Sequence, residues 1–126
     1  MVPWRGWHKG AMEPHILAEH MRLAFDRAGL AELTDMFKWA RDRKFGGRES
    51  GCSERFEALD LPLLVVAGSN DDLAPPDAVR PAFTLSRSRD KTYRALPLGH
   101  IDLLVGRDAP LSTWPLVANW MEKRAA

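Results

Sequence analysis

Apolar residues fall in two rhythms along this chain. In the N-terminal half they recur at helical spacing. A helix over Glu13 to Ala28 would put Leu17, Met21, Ala24, Phe25 and Ala28 on one face. Pro14 fits its first turn and Gly29 is placed to end it. Leu33, Met36, Phe37 and Ala40 repeat the spacing in a second helix over about Leu30 to Lys44. Its Arg41, Arg43 and Lys44 suit the negative end of a helix dipole, and Gly46-Gly47 breaks it.

Further on, the rhythm changes. Leu63-Leu64-Val65-Val66-Ala67 is wholly apolar without alternation and stops at Gly68. A short β-branched run of this kind suggests a strand covered on both faces. Thr92 to Leu96 reads as a second strand. Pro75 and Pro76 suit the first turn of a helix reaching about Ser86, with Pro81 bending or shortening it. A last helix covers about Pro110 to Lys123, with Trp114, Val117, Trp120 and Met121 as its buried face. Pro115 marks a kink in it or its start. Residues 1–12, with Trp4, Trp7 and His8, read as an irregular lead-in. Gly46 to Ser53 reads as a loop, Arg55 to Leu59 as a brief turn or helix, and Ser86 to Lys91 as a solvated connection.

The chemistry sits between the two strands and just beyond them. A carboxylate past the C-terminal end of a buried parallel strand lies where open α/β sheets bind ligands. Asp71 and Asp72 hold that place, and the second strand delivers Gly99-His100. The pattern G-x-x-D-x-x-x-P (Gly68, Asp71, Pro75), then helix, strand and G-H (Gly99, His100), resembles the C-terminal part of an α/β-hydrolase. The continuation H-I-D-L-L-V-G-R-D-A-P, His100 to Pro110, is similar to the histidine loop of lipase-like and polyester-synthase-like members. The resemblance runs from about Leu59 to the C-terminus.

That resemblance implies an α/β fold class: a partial α/β-hydrolase fold. It would have two parallel C-terminal strands with flanking helices, plus N-terminal lid-like helices. Residues 1–58 would be the lid or cap segment, and 59–126 the hydrolase portion with the acid and histidine loops. His100 would be the triad histidine and Asp71 its acid, with Asp72 the fallback. In such a triad the histidine takes the nucleophile's proton, while the carboxylate fixes the tautomer and stabilises the imidazolium.

The family's nucleophile stands on a G-x-S-x-G elbow earlier in the chain. No such elbow occurs here. Gly47-Arg48-Glu49-Ser50-Gly51 has its serine one place late, and Gly51-Cys52-Ser53 follows a helix rather than a strand. The oxyanion donors would be missing with it, and acid and base alone form no acyl-enzyme. The implied function is the C-terminal portion of a serine or cysteine hydrolase acting on carboxylic esters or acyl thioesters, inactive without its N-terminal half. A parallel pair also needs neighbours and cover on both faces. One alternative is a non-catalytic interaction protein derived from a hydrolase, a homodimer that pairs its strands across a symmetry axis and presents its tryptophan-rich N-terminal helices. Another is an enzyme using Cys52 or Ser53 as nucleophile.

The composition narrows the remaining classes. The chain has 126 residues, 45% hydrophobic and 28% charged, with net charge +1. That size suits one small domain, and the charge gives no strong steering to nucleic acid. No apolar run approaches the roughly 20 residues of a membrane span, and no apolar h-region follows Met1. Cys52 stands alone, which excludes an internal disulfide and fits a reducing compartment. The expected location is therefore the cytoplasm, provided Met1 is the natural start.

Other polar residues have simpler roles. His15 and His20 are five apart, so with Glu19 they do not share a face as i, i+4 ligands would. Asn70-Asp71-Asp72 lacks the spacing and glycine of a calcium loop. No metal or cofactor is expected. The plainer reading of His100 is a backbone cap, and that of Asp71 and Asp72 a cap on the following helix. Asp102 reads as a loop-stabilising carboxylate, Cys52 as an ordinary thiol, and Arg41 to Lys44 as a solvated helix end.

Overall fold

A computed structural model of the chain describes residues 6–23, 29–42 and 51–125. Helices α1 (Pro14–Leu23) and α2 (Leu30–Asp42) come first. Then follow α3 (Cys52–Glu57), β1 (Leu63–Gly68), α4 (Pro76–Leu85) and β2 (Lys91–Leu96). A short α5 (Asp102–Val105), a 3-10 turn over Ala109–Leu111 and α6 (Thr113–Glu122) complete it. This is an α/β mixture with a parallel strand pair. The register runs from Leu63 opposite Lys91 to Gly68 opposite Leu96.

Backbone parity leaves one edge of the pair open. Leu63 N–H donates to the Asp90 carbonyl (2.9 Å), and Ser69 N–H to that of Leu96 (2.7 Å). The odd-numbered groups of β1 therefore face β2. Those of Leu64, Val66 and Gly68 face the other way, where no strand lies among the described residues. Among the described residues the buried apolar side chains are few: Val65, Ala67, Leu98, Met12 and Ala109.

The early helices form with Pro14 opening α1, but their expected stripes stay in water. Neither contains a buried residue, and Phe37 is 75% exposed. Amphipathic spacing creates an apolar face but not a partner for it: Leu17 is half-buried, while Met21, Leu33, Met36, Phe37 and Ala40 are exposed. The expected ends of these helices, with Ala24, Phe25, Ala28, Arg43 and Lys44, lie outside the described residues, as does Gly46-Gly47. No described helix is long and apolar enough to cross a membrane.

Expectations change at two connections. Cys52 and Ser53 belong to α3, not to a loop, because Gly51 turns the chain at φ 85° and its carbonyl takes the Arg55 N–H (2.9 Å). The connection after α4 is not simply solvated, since Ser86 and Ser88 are buried. Ser86 Oγ accepts the Ser88 N–H, and Ser88 Oγ donates to the Asp90 carbonyl (3.1 Å each). Lys91 Nζ donates to the carbonyls of Phe83 and Ser86 at the C-terminal end of α4, where helix carbonyls lack intrahelical partners.

The described part of the lead-in, residues 6–12, is irregular yet packed, and Trp4 lies outside the described residues. Arg107 N–H donates to the Ala11 carbonyl (2.8 Å), and the Arg107 guanidinium pairs with Glu13 (2.7 Å). The last helix begins at Thr113, so Pro115 sits in its first turn and disrupts nothing. Trp114 is not on a buried face: it is exposed, with Nε1 donating to the Leu104 carbonyl (2.9 Å). Val117 and Trp120 are half-buried and Met121 is exposed, because that face borders a cleft rather than a packed layer.

Candidate active site

The site forms where the loops after β1 and β2 are tied together. Asn70 N–H donates to the Leu98 carbonyl (3.1 Å) and Asn70 Nδ2 to that of Pro97 (3.2 Å). Gly68 allows this approach, because a side chain there would land on the Leu98 carbonyl oxygen.

Asp71 follows from that tie. Its Oδ1 accepts the N–H groups of Leu73 (2.9 Å) and Ala74 (2.8 Å). This is the local turn chemistry of Asx residues. It caps the turn rather than α4, whose N-cap is Pro75 with no side-chain bond. The other oxygen, Oδ2, lies 2.8 Å from His100 Nδ1. The Asp71 side chain is 2% exposed and that of His100 47%.

The electrostatics favour an ionised acid. Burial alone would push the Asp71 carboxyl up. The Ala74 N–H, the His100 ring and the Leu73 N–H together outweigh it and hold the group below its ordinary value. An ionised carboxylate only accepts, so the proton of a neutral His100 belongs on Nδ1. Nε2 is then left for proton transfer. Asp72 is exposed and stands outside this pair.

Asp71 and His100 both line a cleft of about 850 Å³ between β1, α4, α5 and α6. His20 of α1, to which the sequence analysis assigns no ligand role, reaches the same wall. Its spacing from Leu17 and Met21 places it on the apolar side of α1, and that was the available signal. Neither Cys52 nor Ser53 lines the cleft. The Arg55 guanidinium lies 3.5 Å from Cys52 Sγ. Among the described residues, the one hydroxyl on the cleft wall is that of Thr113, buried at the start of α6. No group of three His, Cys, Asp or Glu among the described residues is arranged to hold a metal ion. The described cleft can bind an apolar group and move a proton through His100.

Comparison with known proteins gives one consistent relationship. The chain is similar to the poly(3-hydroxyalkanoate) polymerase subunit PhaC of Haloferax mediterranei, 35% identical over 69 residues. That match covers 55% of this chain and 14% of the relative. The Haloarcula marismortui subunit is 34% identical over 67 residues, 53% of this chain and 14% of its own length. The Thiocystis violacea subunit is 32% identical over 82 residues, 65% and 22% respectively. These homologues are polyhydroxyalkanoate synthases, of the α/β-hydrolase family. The matches span only 14 to 22% of the length of these relatives. No family model matches the chain, and no solved structure does.

Proposed function

We propose that this chain supplies the acid and the base of a polyester-synthase-like α/β-hydrolase, with Asp71 as the acid and His100 as the base. The attacking serine or cysteine comes from a polypeptide segment outside these 126 residues. That segment docks along the open edge of β1. The observation that carries the reading is the contact of 2.8 Å between Asp71 and His100 at the ends of neighbouring parallel strands.

The chemistry then follows from the two residues. His100 Nε2 accepts the nucleophile's proton as that group attacks an acyl ester or thioester. Asp71 remains ionised, holds the ring and stabilises the imidazolium. The apolar wall of Leu64, Val66, Val117 and Trp120 fits the acyl chain. Helices α1 and α2 act as a lid, a role supported by His20 on the cleft wall. The work is done in the cytoplasm, where Cys52 stays reduced.

The test is complementation. The Haloferax relative, shortened to remove the region similar to this chain, is mixed with the purified chain and an acyl thioester. Each part alone should release no thiol, and the mixture should. Variants His100→Ala and Asp71→Ala should restore nothing. Release that survives His100→Ala would refute the reading.

A second reading is a non-catalytic homodimer. The open edge of β1 and the exposed stripe of α2 support it. It requires a stable dimer by light scattering together with failure of complementation. Esterase activity of the chain alone that Cys52→Ala or Ser53→Ala abolishes would point to a different nucleophile.

A further inference from the structure

Asp102 is the most deeply buried charged side chain described, with 0% exposure. Burying a carboxylate is costly unless hydrogen bonds offset the lost water. Both of its bonds use one oxygen. Oδ2 accepts the N–H of Gly99 (3.2 Å) and that of His8 (2.6 Å), while Oδ1 has no hydrogen-bond partner among the described residues. Helix α5, which Asp102 begins, is four residues long. Capping so short a helix does not account for a wholly buried carboxylate.

The two N–H groups place the carboxylate in relation to His100. Gly99 is the residue before it. His8 belongs to the lead-in, 94 positions away in the chain. The residue after His100 is held from the same direction, since Ile101 N–H donates to the Gly6 carbonyl (2.6 Å). The chain is thus tied on either side of the histidine, at the Gly99 and Ile101 N–H groups. No side chain fits at 99, where a Cβ would lie 2.6 Å from Asp102 Oδ2 and 3.0 Å from the His8 nitrogen. The glycine before the histidine is explained by this packing.

We infer that Asp102 is a positioning residue: by clamping the Gly99 peptide and binding the lead-in at His8, it holds the His100 ring against Asp71. The bond it protects is 2.8 Å long, and a displacement of about 1 Å would break it. Asp102 touches no reacting group. Its role rests on His100 being the base, but its test needs no activity.

The full chain, labelled with ¹⁵N, is followed by NMR of the histidine rings at a pH where they are neutral. In the unaltered protein the His100 proton should sit on Nδ1. Asp102→Ala should lose that Nδ1-bound signal, as Asp71→Ala does, with the β1 and β2 amide signals retained. Asp102→Asn keeps an acceptor oxygen for both N–H groups and should restore the signal. Arg124→Ala weakens the fold elsewhere and should leave it unchanged. An intact Nδ1 signal in folded Asp102→Ala would overturn the inference. If Asp102→Ala does not fold, a chain beginning at Lys9 removes the Gly6 and His8 partners instead, and retention of the signal there overturns it equally. A signal that Asp71→Ala leaves untouched would instead sink the pairing with Asp71.

Discussion

Replacing Asp71 by Asn tests the acid loop directly. Asn keeps the shape and an oxygen for the Leu73 and Ala74 N–H groups. It loses the charge that His100 Nδ1–H meets at 2.8 Å. A hydrogen bond to a charged group is worth about 1.5–3 kcal/mol net. His100 is 47% exposed, so solvent screening reduces that to about 1–2 kcal/mol. With a urea slope of about 1–3 kcal/mol/M, the unfolding midpoint at pH 7 should fall by roughly 1 M or a little less. The pH dependence carries the sharper test. Folding lowers the Asp71 pKa, so the unfolded chain binds the proton more readily. The stabilisation is complete above the unfolded value of about 3.9 and is lost as pH falls through the lower folded value. Urea midpoints of both proteins at pH 7, 5, 4 and 3 should therefore converge at the acid end. A gap that fails to narrow between pH 5 and pH 3 would refute the reasoning.

Three further expectations can be measured. Gly68→Ala forces a Cβ onto the Leu98 carbonyl oxygen, so the loops must part. It should cost about 1–3 kcal/mol in urea and weaken the His100 Nδ1 proton signal. Arg124 pairs in two places with Asp90 and lies 4.1 Å from the Trp120 ring. Arg124→Ala should lower Tm, more at low salt than at high salt if the pair dominates. Phe37→Glu alters a residue that is 75% exposed. It should change stability by no more than about 0.5 kcal/mol while reducing self-association in light scattering.

Sequence reasoning succeeded where a local rule decides the outcome. The run from Leu63 to Ala67 forms a strand, as its short unalternating apolar pattern suggests, although Leu63, Leu64 and Val66 are only half-covered, and Gly68 ends it. Asp71 and His100 are 29 positions apart, yet both follow strands that pair in parallel, so topology brings them to one edge. The misses need information from far along the chain. Leu33, Met36 and Phe37 have helical spacing, but spacing does not say whether a partner covers them. Ser86 and Ser88 looked solvated because they are polar, yet their hydroxyls find partners within the turn and can be buried. The clamp at Asp102 joins positions 8 and 102, and no periodic pattern reports a contact of that range. Helix α5 is too short to show a period at all.

The proposed docking edge also bears on the unequal exposure of the pair. Asp71 is already out of water, while nearly half of His100 is not. The N–H and C=O groups of Leu64 and Val66 point along the cleft side, and consecutive residues Leu63 and Leu64 both line it. Side chains of neighbouring strand residues point to opposite faces, so the cleft straddles the edge of β1 rather than one face. A strand seated there would meet the free backbone groups and cover Leu64, Val66, Val117 and Trp120. Fully burying such side chains is worth about 1.5–3 kcal/mol each, and these are already partly covered, so about 1 kcal/mol each is the fair figure. The same event would exclude water from the His100 ring and strengthen its bond to Asp71. Assembly would then stabilise the fold and complete the proton relay together, through binding that favours the folded state. Complementation that restores activity without raising the Tm of this chain would separate the two effects and count against that coupling.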